Sequence, residues 1–250
     1  MNFLITAGNT QSPIDHVRCV TNIFSGRTGA SIAHHAWGRG HSVTLATSHK
    51  ESLLEFGIDP RSPGERFTLL PYRTFDDLTT LLQNQLKTTA FDAICHSAAV
   101  SDYLSAGAFV PDPGTFFSAR TGQWDSQAGP PTLTEQRTGK ISSRQPELWV
   151  RLVRAPKLID RFRTPWGFQG ILTKFKLEVG IGESELLQIA EASRKASDAD
   201  LMVANTLDGA IHWAYLGPQS GKYDRIVRRE LPDRLVMAIE HLYQERLSHG

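Results

Sequence analysis

Cysteine is scarce in this 250-residue chain, which has only Cys19 and Cys95. Two thiols exclude a disulfide framework and a four-thiolate zinc site. An excess of one charge sign is lacking too: 27 Lys and Arg stand against 26 Asp and Glu, a formal net charge of +1. Gripping nucleic acid through its phosphates needs a strong basic excess, so no nucleic-acid partner is expected. No apolar run approaches the roughly 18 residues of a membrane span, so no membrane partner is expected either. The opening MNFLITAG has neither the basic start nor the long apolar stretch of a secretory signal. What is present is 40% hydrophobic residues, enough for a sizeable core. The expectation is a reduced, cytoplasmic, globular protein.

Short apolar runs alternate with longer amphipathic ones. Strands are predicted over Asn2–Ala7, His41–Thr47, Arg66–Tyr72, Phe91–Ala98, Gln169–Leu177 and Leu201–Ala204, with another at Glu147–Val153. Helices are predicted over Ser25–Arg39, Phe75–Leu86, Glu183–Ser197 and Leu231–Leu247, with a short one at Pro156–Phe162. Ile211–Leu216 and Asp224–Arg229 flank Gly217-Pro-Gln-Ser-Gly221, which reads as an antiparallel hairpin with a turn longer than two residues. The fold class expected is α/β: a doubly wound, mainly parallel, Rossmann-like sheet with helices on both faces and a C-terminal antiparallel hairpin. From Ser101 to Arg144, prolines and glycines interrupt any periodicity, and this stretch is expected to be irregular. No linker divides the chain, so residues 1–250 are read as a single domain.

Three places suit a ligand. Gly26 and Gly29 let backbone approach closely at a predicted helix start, where free N–H groups and the positive dipole end favour phosphate. Ser25 is there the helix N-cap or a phosphate donor, and Asn22 and Arg18 lie just before it. The plainer alternative makes Asn22 a turn residue and Arg18 solvated. Neither G-x-G-x-x-G nor G-x-x-x-x-G-K-[ST] occurs, so ordinary dinucleotide and P-loop readings fail. The second place is Ser97-Ala98-Ala99-Val100-Ser101-Asp102, small residues and an acid after an apolar strand, where open α/β sheets bind ligands. Asp102 is either a hydrogen-bond acceptor for substrate or a polar cap on the next element. The third is Asn205 at the end of a short strand, either a ligand-orienting amide or a turn residue. His34 and His35 are adjacent on a helix and do not share a face, so they are no metal pair. Cys95 reads as a buried small hydrophobe and Cys19 has no evident base beside it.

Five blocks in order, GNTQSPIDHVRCVTNIFSGRTGA, FDAICHSAAVSDY, GKISSRQPELWVRLVRAPKLIDRFR, ILTKFKLEVG and ADLMVANTLDG, resemble phosphopantothenate–cysteine ligases. FKLE is similar to the stand-alone form of that family, without a flavin-dependent decarboxylase half, so no flavin is expected. The resemblance implies that 4′-phosphopantothenate and L-cysteine are joined through an acyl-nucleotide, with Mg²⁺ carried by ATP or CTP and no metal site of the protein's own. It implies nucleotide-binding roles for Gly8, Ser25, Gly26, Gly29, Phe175 and Asn205. It implies substrate-binding roles for Arg18, Asn22, Ala98, Ala99 and Asp102. Asn22 matches the residue that holds the acyl-nucleotide, and Lys140 matches a lysine on a mobile loop needed for the first half-reaction. Arg18 matches an arginine that reaches the substrate from the neighbouring subunit, which implies a homodimer.

The chain departs from the family pattern at Asn9, Phe24, Ser142 and Ser143, and the resemblance does not cover Pro111–Gln136. These departures favour the alternative of a non-catalytic relative that binds nucleotide or phosphopantothenate. An NAD(P)-linked oxidoreductase would want G-x-G-x-x-G and Tyr-x-x-x-Lys; the sequence has neither.

Overall fold

The computed structural model describes residues 1–137 and 139–249. In chain order the strands are β1 (Asn2–Ala7), β2 (Gln11–Pro13), β3 (Cys19–Thr21), β4 (Ser42–Thr47), β5 (Phe67–Pro71), β6 (Ala93–His96), β7 (Tyr103–Pro111), β8 (Thr115–Ser118), β9 (Gln123–Ser126), β10 (Leu133–Glu135), β11 (Trp149–Arg154), β12 (Ile171–Glu178), β13 (Leu201–Thr206), β14 (Trp213–Gln219) and β15 (Lys222–Val227). The α-helices are α1 (Arg27–Gly38), α2 (Phe75–Thr88), α3 (Glu183–Ala196) and α4 (Leu231–His249). They fall into two compact units. The first comprises Met1–Thr10, Ile23–Val100 and Lys157–Gly250, and the second Gln11–Asn22 and Ser101–Pro156. The sequence shows no linker because the backbone passes between the units at four points instead of one.

The first unit is an α/β fold on an eight-stranded sheet of order β15-β14-β13-β12-β6-β1-β4-β5. Strands from β13 to β5 run parallel, and β14 and β15 add antiparallel at one edge. Alternation along each strand sends Phe3, Ile5 and Ala7, with Val43, Leu45, Cys95 and Val203, into one core with α1 and α4. On the opposite face Leu186 and Ala190 of α3 pack on Met202 and Ala204. Helices therefore cover both faces. Burial on that face includes polar groups: Thr6 Oγ1 lies 3.0 Å from His96 Nδ1. Lys174 Nζ donates to the Ser193 carbonyl at 2.9 Å and to Ser197 Oγ at 2.5 Å, at the C-terminal end of α3. An amine there suits the negative end of the helix dipole.

The second unit is antiparallel: a three-stranded sheet β10-β7-β11, a β2-β3 hairpin and a β8-β9 hairpin. The expectation of an irregular stretch from 101 to 144 is corrected here. Its prolines and glycines sit at strand ends and turns, such as Pro111 ending β7 and Gly122 with φ +68° between β8 and β9. Phe117 and Trp124 meet Trp149 in an aromatic cluster whose rings are tilted or edge to face, with centroids 4.5–5.5 Å apart. The strand expected at Glu147–Val153 is β11, Trp149–Arg154, which pairs with β7 and lies outside the parallel sheet.

Two smaller expectations are also corrected. The β14–β15 turn is the two residues Ser220 and Gly221, at φ +48° and +79°, because Gln219 already pairs with Lys222. A register irregularity between Leu216 and Gln219 accommodates Pro218 within the strand. The helix expected at Pro156–Phe162 is only a 3₁₀ turn, Leu158–Arg161.

Candidate active site

Gly8, Ala98 and Asn205 lie at the same, carboxyl edge of the parallel sheet, after β1, after β6 and near the end of β13. The strand order reverses between β6 and β1, so Gly8 and Ala98 flank the position where open α/β sheets bind ligands. The two segments are joined there. The Ala99 amide donates to the Gly8 carbonyl at 2.8 Å, the Ala98 amide to Thr6 Oγ1 at 3.2 Å and Ser97 Oγ to the Thr6 carbonyl at 2.6 Å.

The start of α1 is locked against this edge by glycines. Gly8 and Gly26 have φ of +87° and +80°, and a Cβ built on Gly26 would stand 2.4 Å from the Gly8 nitrogen and 2.8 Å from its Cα. A Cβ on Gly29 would stand 2.5 Å from the Ala7 Cβ and 2.6 Å from Ser97 Oγ. Only glycine permits this approach of backbone to backbone. Gly26 is the N-cap of α1, and no side chain caps the helix. The N-cap role open to Ser25 is thereby corrected: Ser25 is exposed, and its carbonyl accepts from Ser52 Oγ at 2.8 Å.

Sequence reasoning missed what surrounds this turn. Asn9 is buried; its amide donates to Ser48 Oγ at 2.9 Å, and its Oδ1 lies 3.2 Å from both Ser48 Oγ and His49 Nε2. Tyr72, also buried, donates its hydroxyl to the Ala7 carbonyl at 2.7 Å. Arg228 donates to Thr28 Oγ1 in the first turn of α1, and burial, then the nearby Arg27 cation, push its pKa down. A part-buried cation at the positive end of a helix favours an anion beside it. The Ser-His pair directly after β4 was the available signal for Ser48 and His49; Arg228 had none.

Phe175 and Asn205 stand two residues apart in register on neighbouring strands, Phe175 opposite Val203 and Asn205 opposite Leu177. Phe175 is half-buried against the α1 and α4 core. Asn205 belongs to the strand, and the following turn is held by Thr206 Oγ1, which accepts from Gly209 at 3.1 Å. The turn-residue alternative therefore passes from Asn205 to Thr206.

Arg18, Asn22, Asp102 and Lys140 belong to the second unit. Arg18 is partly exposed yet held: its guanidinium donates to the Ile141 carbonyl at 2.9 Å and lies 3.5 Å from Asp15 Oδ2. Asn22 is half-buried just after β3. Asp102 is exposed at the start of β7, and its carbonyl accepts from the Ala155 amide at 2.8 Å. The element that follows Asp102 directly is the strand β7. Lys140 is exposed between Gly139 and the buried Ile141.

Among the described residues no three His, Cys, Asp or Glu side chains converge to hold a metal ion. Cys95 is buried, and burial pushes its thiol up to about 12, while Cys19 is exposed. Among the described residues no helix is long and apolar enough to cross a membrane.

Residues 1–109 match the model of a family described as DNA/pantothenate metabolism flavoprotein C-terminal domain. The coenzyme A biosynthesis bifunctional protein CoaBC of Thermococcus kodakarensis is 30% identical over 246 residues, 96% of this chain and 51% of its own length. The protein of the same name from Mycobacterium tuberculosis is 28% identical over 206 residues, 82% of this chain and 41% of its own. The chain thus spans about half the length, or less, of these curated relatives. Among solved structures, the DNA/pantothenate metabolism flavoprotein of Streptococcus pneumoniae superposes with a TM-score of 0.74 at 24% identity, covering 97% of this chain and 99% of that one. A histidine-to-alanine mutant of Cab2 in complex with phosphopantothenate-cysteine superposes with a TM-score of 0.70 at 18% identity, covering 99% and 88%. These structural likenesses establish the fold.

Proposed function

We propose that the chain is a member of the DNA/pantothenate metabolism flavoprotein C-terminal domain family and a ligase of coenzyme A biosynthesis joining 4′-phosphopantothenate to L-cysteine. The observation that carries the reading is the 30% identity to a CoaBC protein across 96% of this chain. The glycine-locked turn supports it, because it presents uncapped helix amides at the sheet edge where a nucleotide phosphate would bind.

The reaction has two steps. A carboxylate oxygen of phosphopantothenate attacks the α-phosphorus of ATP or CTP, and pyrophosphate leaves. The cysteine amine then attacks the acyl carbon, the carbon–oxygen bond breaks, and the nucleoside monophosphate leaves with that oxygen. The first step brings anions together, so positive groups must offset their repulsion. Gly8, Ser25, Gly26, Gly29, Phe175 and Asn205 are assigned to the nucleotide, and Ala98, Ala99 and Asp102 to phosphopantothenate. Lys140 stabilises the charge that develops as pyrophosphate departs. Asn22 orients the acyl-nucleotide through an uncharged donor and acceptor. Mg²⁺ enters as the chelate of the nucleotide and is part of that substrate. No step is a redox step, so the reaction asks for no flavin.

The working unit is a homodimer in which Arg18 serves the substrate of the partner subunit. The exposed apolar side chains of Val17 and Val20 beside it support a covered surface there. The location inferred for the reaction is the cytoplasm.

The test is an assay of the purified protein with ATP and CTP side by side. Pyrophosphate release that requires phosphopantothenate, and phosphopantothenoylcysteine only when cysteine is added, are the expected results. Nucleotide binding without pyrophosphate release would overturn the reading in favour of a non-catalytic relative.

A further inference from the structure

The turn between β2 and β3 is built around one carboxylate. Asp15 Oδ1 accepts from the amides of Val17 at 2.9 Å and Arg18 at 2.8 Å, which closes the turn. Its other oxygen, Oδ2, accepts from the amide of Ile141 at 3.1 Å, 126 residues away in sequence. The Asp15 side chain is only 1% exposed, so this split use of its two oxygens is shielded from water. Two further contacts tie the same segments together: the His16 amide donates to the Gly139 carbonyl at 2.9 Å, and Arg18 donates to the Ile141 carbonyl. Lys140 is thus exposed while the residues on either side of it are held to the turn.

We propose that Asp15 is a positioning residue for Lys140, its carboxylate fastening the Gly139–Ile141 backbone to the β2–β3 turn and so anchoring the base of the loop that carries the lysine. The hydrogen bond from Val17, and those from Ile141 and Arg18, hold the Asp15 carboxyl below its ordinary range against the opposing effect of burial, so it is ionised at neutral pH and accepts at both oxygens. The catalytic part of the proposal rests on the reading of Lys140 as a residue of the first half-reaction; the anchoring part stands on geometry alone.

The variant that separates the two uses of the carboxylate is Asp15→Asn. Its single oxygen keeps the two amides of the turn, and its NH₂ then faces the Ile141 amide, donor against donor. Three measurements on the full chain test the proposal. In hydrogen exchange, the Ile141 amide of the variant should exchange at least ~10-fold faster than in the parent protein while the β1 and β4 amides are unchanged. In pyrophosphate release, the variant should lose about 10- to 100-fold in kcat, the scale of a misplaced group, with KM for the nucleotide little changed. In a double-mutant cycle, Asp15→Asn combined with Lys140→Ala should be no slower than Lys140→Ala alone, because a residue acting through Lys140 has nothing left to position. A loss of general folding would instead multiply with the loss of Lys140. If Asp15→Asn does not fold, Asp15→Glu keeps both acceptors on a longer stem and is read in the same cycle.

Unchanged exchange at Ile141 overturns the anchor. Faster exchange with an unchanged rate, or multiplying effects in the cycle, overturns the positioning role. Absence of pyrophosphate release in the parent protein overturns the functional reading and with it the catalytic half of the proposal; the anchor is then decided by exchange.

Discussion

Gly26→Ala tests whether the start of α1 is built on contact between two backbones. The new methyl group meets two penalties. At φ +80° an alanine is in the left-handed region, which costs about 1–2 kcal/mol. Its Cβ would also lie 2.4 Å from the Gly8 nitrogen and 2.8 Å from the Gly8 Cα. These are backbone atoms, with no flexible side chain to swing away, so the two segments must separate at an overpacking cost of about 1–3 kcal/mol. The total is about 2–5 kcal/mol. Gly57→Ala is the control: its φ is +72°, and nothing lies within 4 Å of the added carbon, so it bears the conformational penalty alone. Urea melts of the two variants should differ by about 1–3 kcal/mol, with Gly26→Ala the less stable. Nucleotide affinity should fall for Gly26→Ala only. Equal destabilisation of the two variants would refute the close approach and the lock that rests on it.

His96 makes stability depend on pH. Burial, then the nearby Lys174 cation, lower its pKa from 6.5 to about 4, so between those values the unfolded chain binds a proton that the native protein does not. Its contribution is fully present above pH 6.5 and is lost as pH falls toward 4, by about 3 kcal/mol; urea melts from pH 7 to pH 4 should show this slope, and His96→Gln should flatten it. Tyr72→Phe removes the hydroxyl that the buried Ala7 carbonyl accepts, and thermal melts should show a loss of about 1–2 kcal/mol with fold and nucleotide binding retained. For Asn22, replacement by Asp should slow turnover at least as much as replacement by Ala, by about 100-fold, because a negative charge opposes an anionic intermediate. Were Asn22 only a turn residue, Asp would be the milder change in steady-state rates and in melting temperature alike.

The first unit was legible because its signals are local. β1, β6 and β13 are apolar runs that end in small or polar residues, so the sheet edge bearing Gly8, Ala98 and Asn205 follows from counting along the chain. Helix α1 shows where this stops. Ser25-Gly26 offers two N-caps, and local propensity favours the serine. The choice of Gly26 is made by Gly8, eighteen positions earlier, against which no side chain fits. The second unit was hidden for a related reason. Five of its seven strands are only three or four residues long, its prolines and glycines look like interruptions, and its contacts join distant segments, as Ser12 Oγ accepting from the Ser105 amide at 2.6 Å and Asp15 from Ile141 both do. Such pairings leave no periodicity in the sequence. The role of Asp15 was therefore invisible although its neighbours Arg18 and Lys140 stood out.

If phosphopantothenate is activated as an acyl-nucleotide, its carboxylate oxygen can be followed. Phosphopantothenate labelled with ¹⁸O in its carboxylate is turned over with cysteine and whichever of ATP or CTP supports the reaction, and the products are weighed by mass spectrometry. The mechanism breaks the acyl carbon–oxygen bond on the carbon side, so each nucleoside monophosphate released carries one labelled oxygen and the amide product retains the other. Label in inorganic phosphate, with a nucleoside diphosphate as the second product, or an unlabelled monophosphate, would contradict it.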